Sequence, residues 1–206
     1  MKRILQEKFL LYRIRAKKDP QAYGKVYDLY APRIYRFVYF KVSSEEEAQD
    51  ITADVFLKAW QYLLDPKGND VRHLSALLYR IARNNVIDFY RQRAARGEIA
   101  TIDSNDEVIA DTREQFKQLD AKLDVEALAP ALRSLKDEYR EVLVMKYIDQ
   151  LETDEIAEAL SKTNGNVRVL LHRAMNALRG LATDDYEGRA ESTTQEPEGH
   201  SGGRKP

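Results

Sequence analysis

The chain has 206 residues, 33 Lys+Arg against 34 Asp+Glu, and no cysteine; that length holds one domain or two small ones, and the missing thiols exclude disulfides and thiolate metal sites. His73, His172 and His200 lie far apart without ligand spacing, so no metal, cofactor or catalytic centre is expected. No apolar run approaches the roughly 18 residues a membrane span needs, and Met1-Lys2-Arg3-Ile4-Leu5 lacks a signal-peptide core, so the expectation is a soluble, cytoplasmic protein with no membrane insertion.

The formal net charge of -1 hides an asymmetry. Residues 1–97 carry 19 basic against 11 acidic side chains, and residues 98–126 carry 3 against 9. A basic front half suits a polyanionic partner. Along it, Tyr23, Val26, Tyr27, Tyr30, Ile34, Phe37 and Val38 recur at helical intervals, and Pro32 is expected to kink or restart that helix. Ser44 and Glu47 form a capping box that starts the next helix, with Ile51, Val55, Phe56 and Ala59 on one side. After the break at Asp65-Pro66-Lys67-Gly68-Asn69-Asp70, the pattern predicts a long helix from about Val71 to Gln92. From Arg72 to Arg96 there are six arginines and a single acid, Asp88. A solvated face normally mixes signs, so this one points to nucleic acid.

Residues 97–126 read as an acidic linker with a helical turn near Gln115–Leu123, and 183–206 as a disordered tail. Between them, Thr153–Leu160 predicts a short helix burying Ile156, Ala157 and Leu160, with Glu155 and Glu158 left to solvent. Thr163 is placed to cap a second helix, whose Val167, Leu171, Ala174 and Leu178 form one buried stripe. Asn164, Asn166, Arg168, His172 and Arg173 fall outside it. Two helices joined by a tight turn, the second with a polar and basic face, make a helix-turn-helix reader of duplex DNA. An ordinary helical hairpin is the plainer alternative. No segment shows strand alternation, so the fold is all-α: a front domain at 1–96 and a rear domain at 127–182.

Three motifs then resemble bacterial sigma factors. Asp50-Ile-Thr-Ala-Asp-Val-Phe-Leu-Lys-Ala-Trp60 resembles their core-binding helix. Leu78-Tyr-Arg-Ile-Ala-Arg-Asn-Asn-Val-Ile-Asp-Phe-Tyr-Arg91 resembles the helix that reads the promoter minus-10 element. Asp137–Leu143 with the helix-turn-helix resembles the minus-35 domain. The two-domain layout is similar to the extracytoplasmic-function (group IV) subfamily, with sigma region 2-like and region 4-like parts. The resemblance implies that Asp50, Asp54, Phe56, Lys58, Trp60 and Gln61 dock on the β′ clamp helices of core RNA polymerase. It implies that Lys67, Arg72, Arg80, Arg83, Asn84, Arg91 and Arg93 hold unwound minus-10 DNA, Asn84 at a base edge and the cations at phosphates. Asn166, Arg168, His172 and Arg173 would contact the minus-35 duplex, and the β flap of the polymerase and an anti-sigma factor are further implied partners.

Against the sigma pattern, Ser161 and Lys162 replace the usual glycine and aliphatic residue of the turn, Glu152 replaces a capping serine, and Leu170 a frequent basic residue. These departures bear on minus-35 binding rather than on the buried pattern. The competing reading is a stand-alone helix-turn-helix regulator, which leaves the motifs at Asp50–Trp60 and Leu78–Arg91 without a role. A nuclease or nucleotide hydrolase would need a phosphate loop, a metal cluster or a nucleophile–base pair, and none is written here. The expectation is a promoter-specificity subunit that binds polymerase and helps melt DNA, and is not an enzyme.

Overall fold

A computed structural model of the protein describes residues 2–65, 71–97 and 125–192. Among them every regular element is helical: α1 (Lys2–Lys17), α2 (Pro20–Tyr39), α3 (Glu45–Leu64), α4 (Leu74–Ala95), α5 (Val125–Ser134), α6 (Asp137–Leu143, prolonged by a wider π turn at Val144–Ile148), α7 (Thr153–Ala159) and α8 (Asn164–Ser192).

Local chemistry sets the helix starts. The Asp19 carboxylate accepts from the amides of Gln21 and Ala22, and Pro20 follows where its missing N–H is harmless. At α3 the capping box is complete: Ser44 Oγ accepts from the Glu47 amide, and the Glu47 carboxylate accepts from the Ser44 amide. Pro32 does not restart α2, which runs unbroken through it. The long basic helix α4 starts three residues later than the periodicity suggests and has no side-chain cap at His73.

The front core is built from Leu10 and Ile14 of α1, Val26, Tyr30, Ile34 and Phe37 of α2, Val55, Ala59 and Leu63 of α3, and Leu74, Leu78 and Ala82 of α4, all buried. Each of the Leu, Ile, Val and Phe side chains contributes about 1.5–3 kcal/mol on full burial. The rear core gathers Leu132, Val142, Met145, Leu151, Ile156, Val167 and Ala174. Val125, two residues before the expected boundary, already belongs to α5, and α8 runs to Ser192, past 182, where composition suggested a tail. The expected linker turn at Gln115–Leu123 lies outside the described residues.

The two halves are not merely strung together: α4 packs against α7, and the apolar cores are continuous. Charges cross this contact in a regular sense, bases from the front and acids from the rear. Arg36 pairs with Asp149, whose other carboxylate oxygen accepts from Tyr79 Oη at 2.6 Å. Lys41 pairs with Asp137 at 2.6 Å and Glu141 at 2.8 Å, and Arg83 with Glu141 at 3.2 Å. Arg140 reverses the sense, donating to the Phe40 carbonyl. Glu155, expected in solvent, is buried and accepts from Ser75 Oγ at 2.5 Å. A lone seven-residue helix gives no sign of the neighbour that covers its polar side.

Candidate nucleic-acid interface

Helix α3 turns one side to the bundle and the other outward. Asp50, Asp54, Lys58 and Gln61 are exposed on the outward side, and Lys58 Nζ donates to Asn85 Oδ1 at 2.6 Å. Trp60 is half-buried at the edge, its ring 4.8 Å from that of Tyr23. Phe56 is 4% exposed and in edge contact with Tyr27, while its carbonyl accepts from the Tyr23 hydroxyl. It is therefore core and no anchor for a partner. The apolar side chain among the exposed acids is Leu57, 55% exposed, three residues from Asp54 and seven from Asp50. That i, i+4, i+7 spacing of Asp50, Asp54 and Leu57 is written in the sequence beside the larger aromatic Phe56.

On α4 the buried residues Leu74, Ser75, Leu78, Tyr79, Ala82, Asn85 and Val86 occupy the inner side. Tyr79 is fully enclosed, so it is no stacking platform. Arg80, Asn84, Ile87 and Arg91 recur at i, i+4, i+7 and i+11, a single outward stripe in which Asn84, Ile87 and Arg91 are exposed and Arg80 half-buried. Arg91 has a loose ion pair with Asp88 at 3.3 Å. Arg72 is exposed just before the helix. Two of the expected DNA cations are engaged elsewhere: Arg83 with Glu141, and Arg93 with Glu47 at 2.9 Å. Lys67 lies outside the described residues.

The turn between α7 and α8 explains the missing glycine. The Lys162 amide donates to the Ala157 carbonyl at 2.8 Å and the Ser161 amide to the Glu158 carbonyl at 3.3 Å. This 6→1 and 5→2 pair closes a helix C-terminus and needs a left-handed residue between. Ser161 takes that role at φ +53°. Glycine would fit there without strain, yet the turn forms with serine. Thr163 Oγ1 accepts from the Asn166 amide at 3.2 Å, as the sequence suggested. At the start of α7 the capping position is Glu152, whose amide donates to the Glu155 carboxylate at 2.7 Å.

Along α8, Val167, Leu170 and Ala174 are buried while Asn166, Arg168, His172 and Arg173 are all exposed. At 100° per residue the buried set occupies one arc and the exposed set the opposite one. Leu170 thus belongs to the inner arc and subtracts nothing from the outer one. His172 Nδ1 lies 3.5 Å from the Asn176 amide, which loosely orients the ring.

The contact between the halves perturbs its own ionisable groups. Burial pushes the Asp149 carboxyl up, more than Arg36 and the Tyr79 hydroxyl bring it down. Burial, then the adjacent Asp149, pushes the Tyr79 phenol well above its ordinary range. Neither opens onto a cleft, so both are structural. Among the described residues no cluster of His, Asp or Glu could hold a metal, and no helix is long and apolar enough to cross a membrane.

Comparison with known proteins agrees with this division. Residues 26–96 match Sigma-70 region 2, and residues 126–178 match Sigma-70, region 4. The chain is 32% identical over 178 residues to the ECF RNA polymerase sigma factor SigW of Bacillus subtilis, covering 82% of this chain and 92% of that one. To the ECF RNA polymerase sigma factor BldN of Streptomyces coelicolor it is 29% identical over 169 residues, 81% of this chain but only 62% of that longer relative. The fold resembles CnrH in its complex with the cytosolic domain of CnrY, with a TM-score of 0.61 at 24% identity over 87% of this chain and 99% of that one. It also resembles sigma factor RpoE of Bartonella quintana in complex with the anti-sigma factor NepR, with a TM-score of 0.52 at 22% identity over 78% and 96%. With both sigma regions in order on the two helical halves, and a relative matched over nearly its whole length, the chain belongs to the extracytoplasmic-function RNA polymerase sigma factors.

Proposed function

We propose that the outward face of α3, with Asp50, Asp54, Leu57, Lys58 and Gln61, seats the protein on the β′ clamp helices of core polymerase. The Arg80–Asn84–Arg91 stripe of α4 and Arg72 hold the unwound non-template strand of the minus-10 element. Phosphates meet the guanidinium groups, and the Asn84 amide, donor and acceptor at once, meets a base edge. The outer arc of α8 enters the major groove of the minus-35 duplex, while the rear domain rests on the β flap. An anti-sigma factor is the regulatory partner that membership of the family suggests.

One observation carries this reading: Asn166, Arg168, His172 and Arg173 stand exposed on one side of a helix whose other side is buried, directly after a closed helix-turn-helix corner. The acidic and aliphatic face of α3 favours a polymerase subunit over a stand-alone regulator, because duplex binding has no use for it. Arg168→Ala separates these roles. It is expected to remove about 1–3 kcal/mol of base discrimination, roughly a ten-fold loss of promoter-dependent transcription at limiting protein, with polymerase binding unchanged in a pull-down. Loss of polymerase binding in that variant would overturn the assignment of α8 to DNA.

A further inference from the structure

Helix α1 has two apolar sides. Leu10, Leu11 and Ile14 lie in the core, whereas Leu5, Phe9 and Tyr12 are 65%, 59% and 63% exposed. With Ala16, also exposed, they follow i, i+4, i+7 and i+11 spacing, so they form one outward stripe directly opposite the buried one. Three large apolar side chains in a row on an otherwise polar surface mark a contact site rather than chance exposure. Beside the stripe runs a groove of about 550 Å³, lined by Tyr12, Lys8 and Arg15 of α1 and by Arg72 and His73 of the segment before α4. Among the described residues no carboxylate lines it. At its edge, His73 Nε2 lies 3.5 Å from Asp154 of α7. On the other flank of the stripe, Arg13 pairs with Asp19 and lays its guanidinium over the Phe9 ring.

We propose that this outward face of α1, the Leu5–Phe9–Tyr12 stripe with the basic groove beside it, docks an acidic amphipathic helix of a partner protein. An amphipathic helix fills such a site with apolar residues at i, i+3 or i+4 and i+7, and carboxylates along its flank meet Lys8 and Arg15. Charge argues against a second copy of this chain, since two identical faces would oppose cation to cation. Shape argues against a lipid surface: a helix lying on a membrane presents a convex apolar side, whereas here the apolar row borders a groove of about 550 Å³. The groove includes Arg72, the cation proposed for the minus-10 strand, so a partner seated here competes with that contact and regulates the protein.

The test uses the full chain and a fluorescein-labelled 18-residue peptide with leucines at i, i+4, i+7 and i+11 and glutamates on both flanks. A scrambled peptide of equal composition and a lysine-flanked version serve as probes of pattern and of charge. Anisotropy titration is expected to show binding to the glutamate-flanked amphipath at least ten-fold tighter than to either. Leu5→Ser with Phe9→Ser and Tyr12→Ser should abolish that preference while the circular dichroism melt and run-off transcription stay unchanged. Lys8→Glu with Arg15→Glu should weaken binding several-fold and flatten its salt dependence. Equal binding of all three peptides, or full binding by the triple serine variant, would overturn the proposal. So would flotation with phosphatidylglycerol vesicles that the triple variant loses while the peptide fails to bind, which makes the face a membrane one. A concentration-dependent dimer in sedimentation, lost in the triple variant, would assign the face to a second copy and overturn it too.

Discussion

At the scale of single residues, Asp149 shows how much of this protein depends on side chains that touch no ligand. It is 1% exposed, paired with Arg36 and hydrogen-bonded by Tyr79. Burial keeps its carboxyl above the ordinary range despite both partners. The sign of the consequence follows from proton binding. In the window between the ordinary carboxylate pKa, about 3.9, and the raised one, the folded chain holds the proton more tightly than the unfolded chain. This group's contribution to stability is therefore full below that window and declines as pH rises through it. Asp149→Asn removes the titration and leaves Arg36 buried without a counter-charge, at a cost of about 3–5 kcal/mol at neutral pH if uncompensated. Chemical denaturation of both proteins across pH is expected to show wild type gaining on the variant as pH falls through the window. A constant difference would mean that the carboxyl is not desolvated in the folded chain.

At the scale of the element, α3 sets a buried aromatic beside an exposed aliphatic one position away. Phe56 points into the bundle and Leu57 out of it. Leu57→Ser with Asp54→Lys is expected to reduce affinity for core polymerase at least ten-fold with the helix content and melt intact. Phe56→Ala is expected to destabilise the fold by about 3–5 kcal/mol, lowering polymerase binding only in proportion to unfolded protein. Titration of labelled core enzyme alongside thermal melts distinguishes them, and unchanged affinity in the Leu57 and Asp54 variant would move the docking face off α3. The same helix shows what a sequence does and does not disclose. The capping box at Ser44 and Glu47 was legible because both partners lie within one turn, and the outer arc of α8 because its polar and apolar residues segregate cleanly. The inner position of Leu170 is equally a matter of angle. Phe56 was ambiguous because it and Leu57 are both apolar and adjacent, so only packing decides. Glu155, Arg83 and Asp149 were illegible for a different reason: their partners sit 80, 58 and 113 residues away, and no local pattern announces them.

At the scale of the whole molecule, the contact between the halves raises a question of reach. Elements centred about 10 and 35 base pairs upstream of a start site are about 25 steps, or roughly 85 Å, apart along B-form DNA at 3.4 Å per step. Here α4 and α7 touch, with Ser75 and Glu155 in hydrogen bond. If α4 and α8 hold those two elements as proposed, one closed molecule does not meet both, and the two halves are expected to part on the polymerase, exposing Arg83 as Glu141 leaves it. The chain has no native cysteine, so dyes at Lys25→Cys and Gly180→Cys report the change. Energy transfer is expected to be high in the free protein and to fall sharply when core enzyme and promoter DNA are added. Undiminished transfer in a transcribing complex would mean that the closed contact survives and the two elements are not both held. The most direct measurement remains initiation itself: purified chain, core RNA polymerase and a library of linear templates with randomised upstream sequence, read as run-off transcripts. The expected result is a set of discrete transcripts that require the chain and share two upstream sequence blocks, one lost with Arg168→Ala. No template transcribed above core enzyme alone would contradict it.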